Sequence, residues 1–218
     1  MRVLITAGPT REAIDPVRFL SNRSSGRMGY ALAEAAREAG HEVVLISGPV
    51  SLAAPDGVTV KRVETAQEML TAVAEQIGGV DIGIFAAAVA DYRPAVVAGQ
   101  KLKKGGERLT LELERTVDIL GTARGVMGFS GYLVGFAAET ENLVAQAREK
   151  LTRKGCDLVI ANDVAREGIG FDSVENEVTL CLPGGETLPL PRQSKAALAR
   201  ELMTIITQRA AAQLKPPL

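Results

Sequence analysis

The chain has 218 residues, with 25 Lys and Arg against 26 Asp and Glu, 46% apolar residues and a single histidine, His41. That near balance argues against a general nucleic-acid or membrane-surface binder, and no apolar run is long enough to span a bilayer. His41 alone, at a helix-to-strand turn, supports neither a Ser-His-Asp triad nor a zinc site, and Cys156 and Cys181 stand far apart in no metal-ligand spacing, so the chain reads as a cytoplasmic protein without disulfides and with no signal peptide in view.

Val3-Leu4-Ile5-Thr6-Ala7 reads as a buried strand. Met28, Ala31, Leu32, Ala35, Ala36 and Ala39 recur at three and four and predict a helix, closed by Gly40 where a left-handed residue is wanted. Val43 to Ile46 and Val58 to Val63 are the next strands. Ala66, Met69, Leu70, Val73, Ala74 and Ile77 predict a second helix with Thr65 as N-cap. Asp81 to Ala88 is an apolar strand, and Leu109 to Leu113 alternates as a half-exposed one. Asp118 to Met127 is a short helix, Leu133 to Ala138 a strand, Glu141 to Lys154 a helix and Asp157 to Ala161 a strand. Glu177 to Leu182 and Thr187 to Leu190 form an antiparallel hairpin around Pro183-Gly184-Gly185. Ser194 opens a last helix with Leu198, Leu202, Ile205 and Ile206 on one face, and Lys215 to Leu218 is a frayed tail. Apolar strands separated by helices predict one α/β domain over 1–218: a mainly parallel sheet covered on both faces, with a small antiparallel appendage near residues 172 to 191.

Ligands of such sheets bind beyond the carboxyl ends of the strands. The fingerprint GxGxxG is absent after the first strand; a loop of about twenty residues runs instead to Ser24-Ser25-Gly26. Its free N–H groups and the helix dipole suit an anion, while the serines read equally as helix caps. Arg18 and Asn22 lie in this loop and are not caps. The small residues Ala86 to Ala90 admit a ligand close to the backbone or pack tightly against a helix. Asp91, at that strand's end, can accept from a ribose hydroxyl or help hold a metal. Lys101-Leu102-Lys103-Lys104 suits a mobile phosphate-binding loop, though taken alone it reads as a solvated one. Lys150 and Lys154, one helical turn apart, lean toward the body of the protein, either to a ligand or with their stems over apolar surface.

Together, ITAGPTREAIDPVRFLSNRSSGRMG, AAAVADYRP, KLKK, VGFAAET and ANDV, in this order and at these spacings, resemble phosphopantothenoylcysteine synthetase over essentially the whole chain. This is the phosphopantothenate–cysteine ligase half of the bifunctional bacterial coenzyme A biosynthesis flavoprotein. The resemblance implies a Rossmann-like α/β fold, a homodimer and a two-step reaction. The carboxylate of 4′-phosphopantothenate attacks the α-phosphate of CTP with magnesium, giving an acyl-cytidylate and pyrophosphate; the amine of L-cysteine then displaces CMP. It implies catalytic roles for Asn22, at the acyl-cytidylate, and for Lys101, over the reacting phosphates. Arg18 falls on the same substrate side as Asn22. Phe85, Ala86, Ala87 and Asp91 fall at the nucleotide, as do Phe136, Lys150 and Lys154. Val117, Asp118, Ile119 and Leu120 match a further nucleotide segment, but Thr116-Val117 stand where the family usually has Asn-Pro. Ala13 replaces a usual proline, and Arg27 a common lysine. The flavin-dependent decarboxylase domain that accompanies the family, fused or separate, is not in these residues, so no flavin is expected here.

Two other functions fit a sheet of this kind. A nicotinamide- or flavin-dependent oxidoreductase is disfavoured by the missing GxGxxG. A non-catalytic nucleotide-binding regulator is disfavoured by the presence of both Asn22 and Lys101.

Overall fold

The computed structural model describes residues 1–103, 105, 107–139, 141–163 and 173–214. Lys104 of KLKK, Val164 of ANDV and the tail Lys215 to Leu218 lie outside the described residues. The strands of the main sheet are β1 (Arg2–Ala7), β4 (Glu42–Ser47), β5 (Thr59–Arg62), β6 (Ile82–Phe85), β9 (Tyr132–Glu139), β10 (Leu158–Asp163), β11 (Glu175–Cys181) and β12 (Thr187–Ser194). Two short ribbons, β2 (Arg11–Ala13) with β3 (Phe19–Ser21) and β7 (Tyr92–Pro94) with β8 (Leu113–Arg115), stand apart from it. The helices are α1 (Arg27–Glu38), α2 (Ala66–Gln76), α3 (Ile119–Gly125), α4 (Leu143–Lys154) and α5 (Lys195–Gln213).

Strand order is β12-β11-β10-β9-β6-β1-β4-β5, with β10 through β5 all parallel. The chain moves outward from β1 through β4 to β5, then returns to the other side of β1 for β6, β9 and β10. The reversal opens a crevice at the carboxyl ends of β1 and β6. Strand pleating sorts the core into two layers. Ile5, Leu45, Ile84 and Val134 face α1 and α5, while Leu4, Ile46, Leu133 and Val159 face α2, α3 and α4. Arg124 on α3 ties the opposite end of the sheet, donating to the carbonyls of Phe129 and Gly131 (both 2.8 Å) and to the carboxylate of Asp157 (2.5 Å). No helix among the described residues is long and apolar enough to cross a membrane.

Thr65 caps α2 by accepting from the Glu68 N–H (3.1 Å), Gly40 is left-handed at φ 81°, and Ser194 caps α5, all as expected. Several details differ. The antiparallel hairpin β11–β12, expected near residues 172 to 191, joins the main sheet, since β11 pairs with β10. The alternation at Leu109 to Leu113 yields only β8, from Leu113, because no buried face awaits it and Leu109 stays 60% exposed. The strand expected to reach Ala88 ends at Phe85. The helix expected from Glu141 begins at Leu143, after Asn142 takes a left-handed conformation (φ 50°) that asparagine tolerates. The long loop after β1 is built around the β2–β3 ribbon.

The α1 start also departs from the expected serine caps. Its N-cap is Gly26, with no side-chain cap. Ser24 Oγ instead accepts from the Gly26 N–H at 3.3 Å. Gly26 is left-handed at φ 75°, and a Cβ there would fall 2.7 Å from Val50 Cγ1. Glycine is therefore required where the loop closes on the helix.

Candidate active site

After Phe85 the chain leaves regular pairing and passes over the crevice through Ala86 to Asp91. Four side chains from other segments hold it. Thr6 Oγ1 accepts from the Ala87 N–H (3.3 Å), and Thr10 Oγ1 from the Ala90 N–H (3.0 Å). Thr116 Oγ1 donates to the Ala90 carbonyl. Asn22 Nδ2 donates to the carbonyls of Ala88 and Val89, both at 3.1 Å. Two carbonyl acceptors fix which way the Asn22 amide is turned, since only its NH₂ can donate to them. Its Oδ1 therefore faces elsewhere as an acceptor. The backbone carries the pairing partway, with the Ala88 N–H on the Gly8 carbonyl (2.9 Å) and the Thr116 N–H on the Asp91 carbonyl (3.0 Å). Asp91 leaves its carboxylate exposed at the lip.

The cations gather on the β9 side. Lys150 Nζ, half-buried, donates to the Phe136 carbonyl at 2.5 Å, and burial pushes its ammonium below the ordinary lysine range. Lys154 pairs with Asp118. Burial works to raise the Asp118 carboxyl, yet the hydrogen bonds from Lys154 and the Gly121 N–H outweigh it and hold it below its usual value. Asp118 is also the N-cap of α3, accepting from Gly121 N–H at 2.9 Å. Any Cβ on residue 121 would meet Asp118 Oδ2 at 2.5 Å, so glycine makes the room. Ile119, Leu120 and Phe85 are buried in the core, so of the residues matched to the nucleotide these three have only backbone to offer. Val117 is half-buried against the α2–α4 layer.

Arg18 and Lys101 are joined by a clasp. Asp15, whose side chain is fully buried, accepts from the backbone N–H groups of Val17 (2.8 Å), Arg18 (2.9 Å) and Leu102 (3.1 Å). It also accepts from the Arg18 guanidinium through Nε (3.0 Å) and Nη2 (2.5 Å), and Nη2 reaches the Leu102 carbonyl at 3.0 Å. Arg18 is thus oriented by Asp15, and Lys101 projects, exposed, from a segment anchored one residue on. Beside Asn22 lies an open cavity of about 360 Å³, lined by Pro9, Arg11, Phe19, Arg23, Ser24 and Pro49 among others. The guanidinium of Arg11 lies over the Phe19 ring at 4.5 Å.

Of the residues singled out in the sequence, Asn22 is joined to the segment after β6, Arg18 to Leu102 beside Lys101, Lys150 to Phe136 on β9, and Lys154 to Asp118 at the start of α3. What the sequence reading missed is the set that holds them: Thr6, Thr10, Thr116 and Asp15. The threonines look like ordinary strand and loop residues. Asp15-Pro16 carried a signal, because an Asp that accepts from N–H groups two and three residues on is a standard turn former.

The strand order and the polar crevice define a Rossmann-type α/β protein with a site at its topological switch point. The chain belongs to the DNA/pantothenate metabolism flavoprotein C-terminal domain family, whose pattern matches residues 1–210. It is 51% identical over 203 residues to the Coenzyme A biosynthesis bifunctional protein CoaBC of Vibrio vulnificus, covering 92% of this chain and 50% of that protein. With the CoaBC of Bacillus subtilis it shares 50% identity over 202 residues, covering 92% of this chain and 50% of that protein. The chain thus spans about half the length of these relatives. The crystal structure of the C-terminal domain of CoaBC matches with a TM-score of 0.82 at 46% identity, covering 97% of this chain and 96% of that one. A mutant of Cab2 in complex with phosphopantothenate-cysteine has the same fold, with a TM-score of 0.80, 18% identity, and 98% and 87% of the two chains covered.

The clasp makes a pH prediction. Hydrogen bonding from Arg18 holds the Asp15 carboxyl well below the usual carboxylate range, against the opposing effect of burial. A folded-state pKa below the unfolded one contributes stability that is present above the unfolded value of about 4 and is lost as pH falls below it. Denaturant unfolding at a series of pH values is expected to show Asp15→Asn less stable at neutral pH than the parent, with the gap closing between about pH 5 and pH 2. A gap that stays constant through acid would show that the Asp15 charge contributes nothing.

Proposed function

We propose that the chain is a ligase that joins 4′-phosphopantothenate to L-cysteine at the expense of CTP. The observation that carries the proposal is the position of Asn22, locked by the Ala88 and Val89 carbonyls of the segment that follows β6 at the switch point. Membership of the family supports it, as does identity to CoaBC proteins over nearly the whole of this chain.

In the first step the phosphopantothenate carboxylate attacks the α-phosphorus, an acyl–oxygen–phosphorus bond forms as the bond to pyrophosphate breaks, and negative charge shifts onto the leaving group. Lys101, Lys150 and Lys154 supply cations there, and such transfers need positioning and charge stabilisation more than a protein nucleophile. Phe85, Ala86 and Ala87 offer backbone, and Asp91 a carboxylate, to the nucleotide's sugar and base. A triphosphate drawing on Lys154 competes with Asp118. Among the described residues no group of three His, Cys, Asp or Glu is placed to hold a metal ion. Magnesium, bound with CTP, would supply charge neutralisation at the triphosphate.

In the second step the cysteine amine attacks the acyl carbon, CMP leaves with its bonding electrons, and the amine sheds a proton. Asn22 Oδ1, turned away from the two carbonyls, is an acceptor suited to that amine. Arg18, aimed by Asp15, lies on the acyl side.

A homodimer is part of the proposal. Tyr92, Val96, Val97, Leu109 and Leu113, on the β7–β8 ribbon and the segments leading from it, are all at least 43% exposed. Edge strand β12 carries Pro189 and Pro191, which offer no N–H to an added strand. The second copy is therefore placed on the ribbon. Sedimentation at micromolar concentration is expected to give a dimer, dissociated by Val96→Asp with Leu113→Asp; a monomeric parent would contradict it.

Incubation with magnesium, 4′-phosphopantothenate, cysteine and each nucleoside triphosphate in turn is expected to release pyrophosphate fastest with CTP. Oxidation of NADH with no response to CTP would overturn the ligase in favour of an oxidoreductase, and CTP binding without turnover would favour a regulator.

Lys101→Gln, which keeps much of the length and loses the charge, is expected to fold normally and to lower turnover on the order of a hundredfold. Parental turnover in that variant would return the lysine to a solvated loop.

A further inference from the structure

The peptide group between Val89 and Ala90 is gripped at both ends. Its carbonyl accepts from Asn22 Nδ2 (3.1 Å), and its N–H donates to Thr10 Oγ1 (3.0 Å). A peptide group is planar, so its two ends cannot turn independently. Thr10 is fully buried, and its backbone is held too: its N–H donates to the Ala88 carbonyl (3.4 Å) and its carbonyl accepts from Ser21 Oγ (2.8 Å), one residue before Asn22. The next peptide is pinned by Thr116, whose hydroxyl donates to the Ala90 carbonyl. Ala90 itself is buried.

From this geometry we infer that Thr10 is a positioning residue for acyl transfer: its hydroxyl sets the plane of the Val89–Ala90 peptide, and that plane aims the Asn22 amide. The chemical consequence rests on the two-step ligation proposed above. Without the Thr10 acceptor, the Ala90 N–H is buried and unsatisfied, which the backbone relieves by rotating that peptide. Rotation carries the Val89 carbonyl away from Asn22 Nδ2, and the amide loses one of the two bonds that fix its orientation. The nucleotide side has holds of its own: Lys150, Lys154 and Asp118 sit on α3 and α4, the Asp91 carbonyl accepts from the Thr116 N–H (3.0 Å), and the Ala86 N–H donates to the Thr6 carbonyl (3.2 Å). A residue of merely structural value would instead weaken both steps alike.

The test separates the two half-reactions at a temperature where every variant is folded. Exchange of labelled pyrophosphate into CTP, with phosphopantothenate and without cysteine, reads the first; cysteine-dependent CMP release at saturating substrates reads the second. Thr10→Val, which loses the acceptor at nearly constant volume, is expected to keep exchange within about threefold of the parent and to lower cysteine-dependent release by roughly ten- to a hundredfold, the range a misplacement of about 1 Å produces. Thr10→Ser, which keeps the oxygen, is expected to restore release. Thr10→Val combined with Asn22→Ala is expected to be no slower in the second step than Asn22→Ala alone, because both changes remove one function. Equal loss of both half-reactions, full additivity in the double variant, or parental release in Thr10→Val would overturn the assignment. Absence of exchange in the parent enzyme would overturn the ligation itself, and the positioning role with it.

Discussion

The crevice depends on one constraint: the segment Ala86 to Asp91 must leave the sheet and still satisfy its backbone. Buried N–H and C=O groups need partners, and here the neighbouring strand supplies only some of them. Three threonine hydroxyls and one asparagine amide supply five further bonds. The four partners come from three stretches of chain: Thr6 from the end of β1, Thr10 and Asn22 from the loop beyond it, and Thr116 from the segment leading to α3. Satisfying a few peptide groups thereby ties together the three regions from which the site is built. Small side chains along the segment follow from the same need, since they keep the backbone open to close approach.

Charge is distributed by the same framework. Because α4 packs its Ala147 and Leu151 face on the sheet, Lys150 reaches the Phe136 carbonyl midway along β9 and Lys154 reaches Asp118 at the start of α3. Lys101 comes from another segment, where Asp15 gathers three backbone N–H groups and a guanidinium around one buried carboxylate. A buried carboxylate without such partners would be costly. With them it clamps the loop carrying Asn22 to the segment carrying Lys101. Cations thus come from the Lys101 segment and from α4, and a neutral amide from the loop after β1. That arrangement suits a reaction in which charge moves between phosphates and an amine then meets a carbonyl carbon. It would serve poorly for hydride transfer, which needs no such concentration of lysine.

Much of this was legible in the sequence because it rests on periodicity and punctuation. The apolar runs of β1, β4, β6, β9 and β10 and the three-four spacing of α1, α2 and α5 placed the layers, and Gly40, Thr65 and Ser194 marked helix ends. Asn22, Lys101, Lys150 and Lys154 were singled out from their motifs. The failures share a cause: they depend on contacts distant in sequence. Nothing local tells that β11 continues the main sheet, since pairing with β10 decides it. The alternation at Leu109 to Leu113 looked like a strand with a buried face, but no second layer lies there. Ser24 and Ser25 read equally as caps or as part of an anion site, whereas the left-handed turn at φ 75° calls for glycine as the cap of α1. The roles of Thr10 and Thr116 depend on Ala90, 80 and 26 residues away, and no single-sequence pattern encodes such pairs.

The most direct test of the acyl-cytidylate route follows an oxygen atom. 4′-Phosphopantothenate is prepared with a heavy oxygen isotope in its carboxylate and is turned over with CTP, magnesium and cysteine, and the products are examined by mass spectrometry. Attack of the carboxylate on the α-phosphorus leaves one of its oxygens on that phosphorus when the amine displaces CMP. The label is therefore expected in CMP, one atom per turnover, with none in pyrophosphate. Label in inorganic phosphate or pyrophosphate, or CMP without label, would contradict the account.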